Sequence, residues 1–259
     1  MRHSITNDRA KKKHTIIRIL AALFWIGIWQ TASMWLGQEI LLASPVSVLK
    51  KLSELLFTAD FWQSIGFSFG RIVLGFGIAV VLGIFMGITA YRSRVAEILI
   101  NPLMSVIKAT PVASFIILCL IWIPSRNLSV FISFLMVLPV IYTNLLEGLG
   151  QTDRKLLQMA DIFRVSRGKK VFYIYFSQVL PYFITACRLS LGMCWKAGIA
   201  AEVIGVPSGS MGEKLYNAKI YLNTPDLFAW TIVIIIISVV FEKFFLAGIN
   251  KLKTYVEQR

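Results

Sequence analysis

The chain has 259 residues, of which 57% are hydrophobic and 15% are charged, and its formal net charge is +14. Soluble domains carry about 25% charged residues, so this composition excludes an ordinary soluble domain and indicates one integral membrane domain. The excess of Lys and Arg would suggest nucleic acid in a soluble protein. The cytoplasmic loops of membrane proteins collect the same residues, so no nucleic-acid partner is expected.

Six segments approach the roughly 20 apolar residues that a spanning helix needs. Backbone groups in lipid must find their hydrogen bonds within the segment, so these segments are predicted to be helices. The predicted fold is therefore all-α, a polytopic membrane protein with six transmembrane helices. In chain order the predicted spans are Ile19–Gly37, Ile72–Ala90 (extending back toward Ser64), Ala109–Ser125, Asn127–Leu146, Val171 to about Ala201, and Leu227 to about Ile249.

The basic N-terminus followed by an apolar run imitates a signal peptide. The run from Ile16 to Gly37 is longer than the apolar core of a signal peptide and lacks a convincing cleavage site. We interpret it as a retained first helix after a cytoplasmic basic tail, residues 1–18. Lys and Arg concentrate in this tail, in the loops around residues 92–94 and 154–170, and near the C-terminus. This asymmetry predicts that both termini, including a tail at residues 253–259, are cytoplasmic.

Two predicted outer segments are more than turns. In "SPVSVLKKLSELLF", Ser44–Phe57, a serine precedes a proline, which is typical of a helix start. We predict an amphipathic helix there, so that residues 19–63 contain the first span and this helix. The stretch "GVPSGSMGEKLYNAKIYLNTPD", residues 205–226, predicts a loop and a short helix. Its "GSMGEK" lacks the spacing of a phosphate-binding loop, and the sequence contains that spacing nowhere else. If ATP is used, a partner is therefore expected to hydrolyse it.

The second span contains Gly75, Gly77, Gly83 and Gly87. Gly83 and Gly87 form a small-xxx-small pair, which permits close approach of a neighbouring helix. These glycines are therefore predicted to serve helix packing.

The apolar segments are poor in residues that perform covalent chemistry. The cysteines Cys119, Cys187 and Cys194 are odd in number and form no CxxC pair, so neither a disulfide framework nor a metal site is expected. His3 and His14 both lie in the N-terminal tail. A membrane-embedded enzyme is therefore disfavoured, and no catalytic residue, metal or cofactor is predicted.

A basic insert separates the fourth and fifth spans: "LLQMADIFRVSRGKKVFYIYFSQVLPYF", residues 156–183. Leu156, Met159, Ala160 and Phe163 can share one face of a short amphipathic helix, which a polar turn follows. Two simple interpretations are open for such a helix. It can lie on anionic lipid headgroups, or it can cap the helix bundle.

The insert resembles the loop of bacterial ABC importer permeases, whose pattern is E-A-A-x3-G-x9-I-x-L-P. Gln158, Met159 and Ala160 stand at E-A-A, Arg164 stands at the glycine, and Ile174 stands at the isoleucine. In that family the loop forms a coupling helix, here about residues 152–170, which docks on the ATPase subunit. The resemblance implies that the ATPase-coupling residues are Gln158, Met159, Ala160, Asp161, Arg164 and Gly168.

The resemblance covers the chain from about residue 64 to 252, the expected permease core. Three stretches are similar to the permease core of that family in order and spacing: "FSFGRIVLGFGIAVVLGIFMG" from Phe67, "NPLMSVIKATPVASFIILCLIW" from Asn101 with Pro111 at a bend, and "AEVIGVPSGSMGEKLYNA" from Ala201. The branch is that of sulfonate, taurine, nitrate and thiamine-precursor importers. It implies a type I permease fold in the bacterial inner (plasma) membrane, a homodimer, a cytoplasmic ABC ATPase and an extracytoplasmic solute-binding protein.

Ionisable side chains within apolar segments are candidates for the solute pathway, because such groups are expensive in lipid. Arg71 and Lys108 lie near segment ends, where snorkelling or pairing explains them. Arg188 and Lys196 lie deeper, about two turns apart. For Lys196 two interpretations stay open, lining the pathway or forming an internal salt bridge. The predicted pathway residues are Pro111, Arg188, Trp195, Lys196 and Glu202.

The sequence thus predicts a non-catalytic permease subunit that forms the pathway for a small solute and couples to a separate ATPase. Arg188 and Lys196 favour an anion such as a sulfonate or nitrate, whereas Trp195 is compatible with a vitamin precursor. The alternative is an ATP-independent channel or secondary transporter, which would have no need of a docking helix.

Overall fold

A computed structural model describes the backbone of residues 2–257 and the side chains of residues 16, 17 and 19–251. Every regular element in that range is helical, which confirms the predicted all-α fold. The helices are α1 (Arg2–Leu36), α2 (Pro45–Leu56), α3 (Ala59–Arg92), α4 (Arg94–Ala109), α5 (Val112–Cys119), α6 (Ser125–Gly150), α7 (Arg154–Ile162), α8 (Arg167–Lys170), α9 (Phe176–Gly205), α10 (Met211–Ile220) and α11 (Thr224–Glu257), with a π-helical turn (Val171–Tyr175) before α9. The predicted tails, residues 1–18 and 253–259, lie almost wholly outside the described side chains.

Several helices match the length and apolar character of membrane spans. Within the described residues, α1 from Ile19, α3, α6 and α11 are long and apolar enough to cross a membrane, and the bent pair α4–α5 adds a fifth candidate. The other predicted span corresponds to α9, whose 30 residues extend about 45 Å at 1.5 Å per residue. Apolar length alone does not mark α9, because it carries Arg188, Lys196 and Glu202.

The predicted third span, Ala109–Ser125 with a bend at Pro111, differs in its bounds and is divided into two helices. The chain forms α4 up to Ala109 and then the eight-residue α5, and the two axes are bent by 103°. Pro111 is the N-cap of α5. It has no N–H to donate and disfavours helical geometry in Thr110 before it, so the helix is broken there. Pro124, the N-cap of α6, ends the turn that follows α5.

Helix α6 is the centre of the bundle and packs along both α3 and α9. Three of the predicted packing glycines, Gly75, Gly83 and Gly87, lie against α6. A Cβ on Gly75 would collide with the backbone oxygen of Val130, so only glycine permits this helix separation. Among the described residues, none outside the local turn of α3 lies within 4 Å of the Cβ position of Gly77, so Gly77 does not contribute to the contact with α6.

Helix α2 confirms the amphipathic helix predicted from the Ser-Pro start. The Ser44 Oγ accepts a hydrogen bond from Ser47 N at 3.1 Å, as an N-cap should. Trp29 of α1 donates from Nε1 to the oxygen of Ala43 (3.0 Å) and packs on Phe228 of α11. Ser33 of α1 is also buried and donates to the oxygen of Leu42 at 2.9 Å, whereas most other described side chains of α1 from Ile19 are exposed.

Candidate functional site

The insert between α6 and α9 contains the short helix that the sequence predicted at residues 156–163. Helix α7, Arg154–Ile162, begins at Asp153, whose Oδ1 accepts from Lys155 N at 2.7 Å. The backbone N–H of Asp153 donates to Gln178 Oε1 at 2.8 Å, and an ion pair joins Asp161 to Lys170. These contacts attach α7 to the start of α9, so the insert and α9 are physically linked.

The apolar side chains of α7 do not all share one direction. Ala160 is 6% exposed and faces the bundle, whereas Met159 is 53%, Ile162 77% and Phe163 73% exposed. Leu156 is also exposed. Helix α7 therefore presents an apolar surface that no described residue covers. We call Leu156, Met159, Ile162 and Phe163 the α7 apolar surface.

Arg164 occupies a position where glycine is physically favoured. Its φ is 51°, in the left-handed region, and the N–H of Val165 donates to the oxygen of Ala160 at 2.8 Å. This is a common way to end a helix, and glycine is its usual residue. The geometry explains why the related loop pattern has glycine there. Gly168 has open space around its Cβ position and no positive φ.

One face of α9 is exposed, although the rest of the helix packs in the core of the bundle. Its members recur at helical spacing: Thr185, Arg188, Leu189, Met193 and Lys196. Arg188 and Lys196 form no ion pair with any described residue. We call this stripe the cationic face of α9. Its two charges lie near the middle of the helix, where lipid contact is costly.

The other predicted pathway residues of α9 are buried. Trp195 is 2% exposed and packs against Phe69 and Phe241, with ring centroids 5.9 and 6.2 Å away. It turns inward because consecutive helical residues lie about 100° apart. Glu202 is fully buried and accepts a hydrogen bond from Ser68 Oγ at 2.6 Å. The structure thus separates Trp195 and Glu202 from the exposed cations.

Pro111 lies at the exposed break that directs α5 onto α9. Ile116 and Cys119 of α5 share an apolar cluster with Ala197 and Ala201 of α9. Since Ala197 directly follows Lys196, the broken helix runs beside the cationic face. This adjacency arises from the fold, and the pathway role of Pro111 stays a prediction.

Sequence reasoning did not find Ser68, Met211 or Gly212, which surround Glu202. Ser68 is 134 residues from Glu202, and a serine in a Gly-rich helix has no distinctive pattern. The only available signal was the segment after Ala201, where an Ala-Glu pair precedes a Gly-rich stretch.

Comparisons with known proteins agree with this architecture. An aliphatic sulfonates transport permease protein of Bacillus subtilis is 25% identical over 222 residues, covering 85% of this chain and 80% of its own. The taurine transport system permease protein of Escherichia coli is 26% identical over 220 residues, covering 83% and 80%. A chain from a crystal structure of an amino acid ABC transporter with histidines superposes with a TM-score of 0.57 at 18% identity, over 79% of this chain and 97% of its own.

The family model of the binding-protein-dependent transport system inner membrane component matches residues 79–250, which is more than half of the chain. That range includes the broken α4–α5 pair, the α7 insert and the cationic face of α9. The chain belongs to this family of ABC importer permease subunits.

Proposed function

We propose that this permease subunit moves a small oxyanion across the bacterial inner membrane, between two copies of itself. The cationic face of α9 is the observation that carries the proposal. Two unpaired cations in the middle of a membrane helix need either water or protein opposite them, because lipid would cost about 2.5–3.5 kcal/mol for each. A second copy related by a two-fold axis would cover this face and enclose a water-filled pathway.

The proposed class of solute is based on the positive charge of this face. The relatives described above are named for sulfonates and taurine, which both carry a sulfonate group. Arg188 and Lys196 would attract such an anion, and the arginine can donate two parallel hydrogen bonds to its oxygens. Trp195 is buried and would therefore make no aromatic contact with the solute.

Coupling to ATP is proposed to occur through α7. Its apolar surface is exposed and bordered by Arg154, Lys155 and Arg164, a combination that fits an apolar groove with an acidic rim on a cytoplasmic ATPase. Asp153 and the Asp161–Lys170 ion pair fasten α7 to the start of α9. Displacement of the docked helix would therefore reach the cationic face through one continuous helix.

The remaining roles are part of the same proposal. The ATPase lies on the cytoplasmic side, together with both termini, and a solute-binding protein delivers the anion from the other side. The permease itself carries out no covalent chemistry. ATP hydrolysis belongs to the separate ATPase.

The test is purification of the tagged permease in mild detergent together with its ATPase. Met159→Glu places a charge in the apolar contact, so we expect at least tenfold less ATPase to be retained, equivalent to about 1.4 kcal/mol. Tyr221→Ser is the control, because Tyr221 is 79% exposed at the other end of the molecule. The wild-type complex should contain two permease chains by native mass spectrometry.

Two results would contradict the proposal. One is an unchanged amount of ATPase on Met159→Glu, which would make α7 a lipid-surface helix. The other is solute movement in liposomes by the permease alone without ATP, which would revive the channel alternative.

A further inference from the structure

One buried carboxylate joins three helices near the end of α9. Glu202 Oε2 accepts hydrogen bonds from Ser68 Oγ of α3 at 2.6 Å and from the backbone N–H of Gly212 in α10 at 3.3 Å. Ser68 Oγ accepts in turn from the N–H of Met211 at 2.9 Å. Ser68 and Glu202 thus accept hydrogen bonds from the first two N–H groups of α10. The dipole of α10 also favours a carboxylate at that end.

The contact leaves no room for a side chain on α10. A Cβ on Gly212 would collide with the Cβ and backbone of Glu202, so this helix start approaches α9 as closely as glycine allows. The next N–H, that of Glu213, donates to Ser210 Oγ at 3.0 Å, and the Glu213 carboxylate accepts from Gly209 N at 2.6 Å. This reciprocal capping satisfies two more N–H groups at the start of α10, next to the point where Glu202 holds it.

Three further polar atoms are buried near these contacts. Glu202 Oε1, Ser129 Oγ and Arg71 Nη1 are buried, and although Ser129 lies close to the Glu202 carboxylate, none of the three atoms makes a hydrogen bond of good geometry with a described residue. Arg71 lies close enough for its charge to act on Glu202, but its guanidinium rests 4.1 Å from the centre of the Phe67 ring. Buried polar groups are normally hydrogen-bonded. A second arrangement is therefore available, in which Arg71 pairs with the free oxygen of Glu202.

The chain is strained where α9 ends. Val206 has φ 46° and ψ 53°, a left-handed conformation that is unfavourable for a β-branched residue. Beyond it, an ion pair between Lys214 and Asp60 holds α10 to the first turn of α3 at 2.6 Å. We call residues 206–223 the outer segment. Strained residues of this kind often mark points where a protein switches between conformations.

We infer that Glu202 is a positioning residue of the transport cycle. It fastens the outer segment to α3 and α9 in the state described here. When the pathway opens on the side of the outer segment, Glu202 releases the start of α10 and pairs with Arg71 instead. The inference rests on the proposed function, because a transport cycle is what requires α9 to move relative to α3. It also gives Glu202 a role other than lining the pathway, which its complete burial does not favour.

The first experiment locks the outer segment to α3. Asp60→Cys and Lys214→Cys are combined in a chain whose native cysteines are replaced by alanine, and the pair is bridged with a short reducible bis-thiosulfonate reagent. With ATPase and binding protein present in liposomes, bridging should lower sulfonate uptake at least tenfold, and reduction should restore it. Each single-cysteine variant is the control. Uptake at the unbridged rate by fully bridged protein would overturn the inference.

The second experiment distinguishes the two roles of Glu202, which are to hold the start of α10 and to pair with Arg71. Glu202→Gln keeps an oxygen that can accept from Ser68 and Gly212, but it lacks the charge that attracts Arg71. Glu202→Leu removes both functions. We expect both variants to lose at least tenfold in uptake, but only Glu202→Leu to hydrolyse ATP several-fold faster without solute. Identical hydrolysis by both variants and the wild type would refute the role.

Two controls keep this result distinct from a failure of the proposed function. The bridged protein and both Glu202 variants should retain the ATPase; a wild-type chain that never binds it would refute the proposed function instead. If Glu202→Leu does not fold, Ser68→Ala replaces it. That variant loses one of the two hydrogen bonds that hold the first N–H groups of α10 and should raise hydrolysis by a smaller factor, and no rise would count against the inference.

Discussion

Arg164 shows how one backbone angle can account for a residue preference. The related loop pattern has glycine at this position, and the sequence comparison could only record that arginine stands there. In the structure its φ of 51° and the Val165–Ala160 hydrogen bond identify it as the left-handed residue that ends α7. The preference is therefore conformational, because a left-handed conformation costs a non-glycine residue about 1–2 kcal/mol.

At this position we predict opposite effects of two uncharged substitutions. Arg164→Gly relieves the left-handed strain but loosens the unfolded chain, so the unfolding free energy should be unchanged or rise by up to about 1 kcal/mol. Arg164→Pro cannot adopt this angle and loses the N–H that donates to Asp161, so ATPase coupling should be lost. Thermal denaturation and ATP-driven uptake measure the two effects.

Gly168→Ala is the matched control, because space is open around that residue. It should leave both measurements unchanged. If Arg164→Gly uncouples as strongly as Arg164→Pro, the charge of Arg164 would matter rather than its conformation.

At the scale of elements, the α3–α6 contact depends on a stripe of small residues. Gly75, Gly83 and Gly87 recur at multiples of four and face α6, which produces the close approach that small-xxx-small pairs permit. The sequence identified the glycines as packing residues. It could not tell that Gly77, two positions from Gly75, faces away, since that depends on the rotation of α3 against α6.

The two neighbouring glycines supply a direct test of this contact. Gly75→Ala would push a methyl group into the backbone oxygen of Val130, so we predict a loss of about 1–3 kcal/mol and a lower melting temperature in detergent. Gly77→Ala should be neutral or slightly stabilising, because alanine is the better helix former. Equal melting temperatures for the two variants would show that α3 and α6 can separate freely.

At the scale of the whole molecule, the single chain leaves charged side chains of α9 uncovered. Arg188 and Lys196 are exposed near the middle of a membrane helix, while the carboxylate of the same helix, Glu202, is buried under α10. A bundle arranged in this way would be unfavourable alone in lipid. The proposed assembly of two copies around the cationic face would resolve this problem and would create the pathway in the same step.

This arrangement predicts how charge on that face controls uptake. Lys196→Gln and Arg188→Gln should each lower ATP-driven sulfonate uptake about tenfold, equivalent to about 1.4 kcal/mol of lost anion stabilisation. Lys196→Glu should abolish it. Lys50→Gln, on the exposed side of α2, is the control for net charge. Wild-type uptake by both glutamine variants would exclude the cationic face as the pathway.

The sequence by itself determined the membrane class, the all-helical fold, the approximate positions of most spans and the presence of the amphipathic insert. These properties follow from local composition and periodicity, which a chain carries without reference to its neighbours. The broken third span was only partly foreseen. Pro111 indicated a bend, but whether a proline bends a helix or divides it depends on what packs against each half.

Tertiary structure decided which residues of α9 are exposed and which are covered by other helices. Neighbouring residues such as Trp195 and Lys196 differ by about 100° around the helix, and the positions of α6, α10 and α11 determine which of them is covered. The same holds for Glu202, whose partners Ser68 and Gly212 come from α3 and α10. Contacts between residues far apart in the chain have no local pattern, so only the packed bundle reveals them.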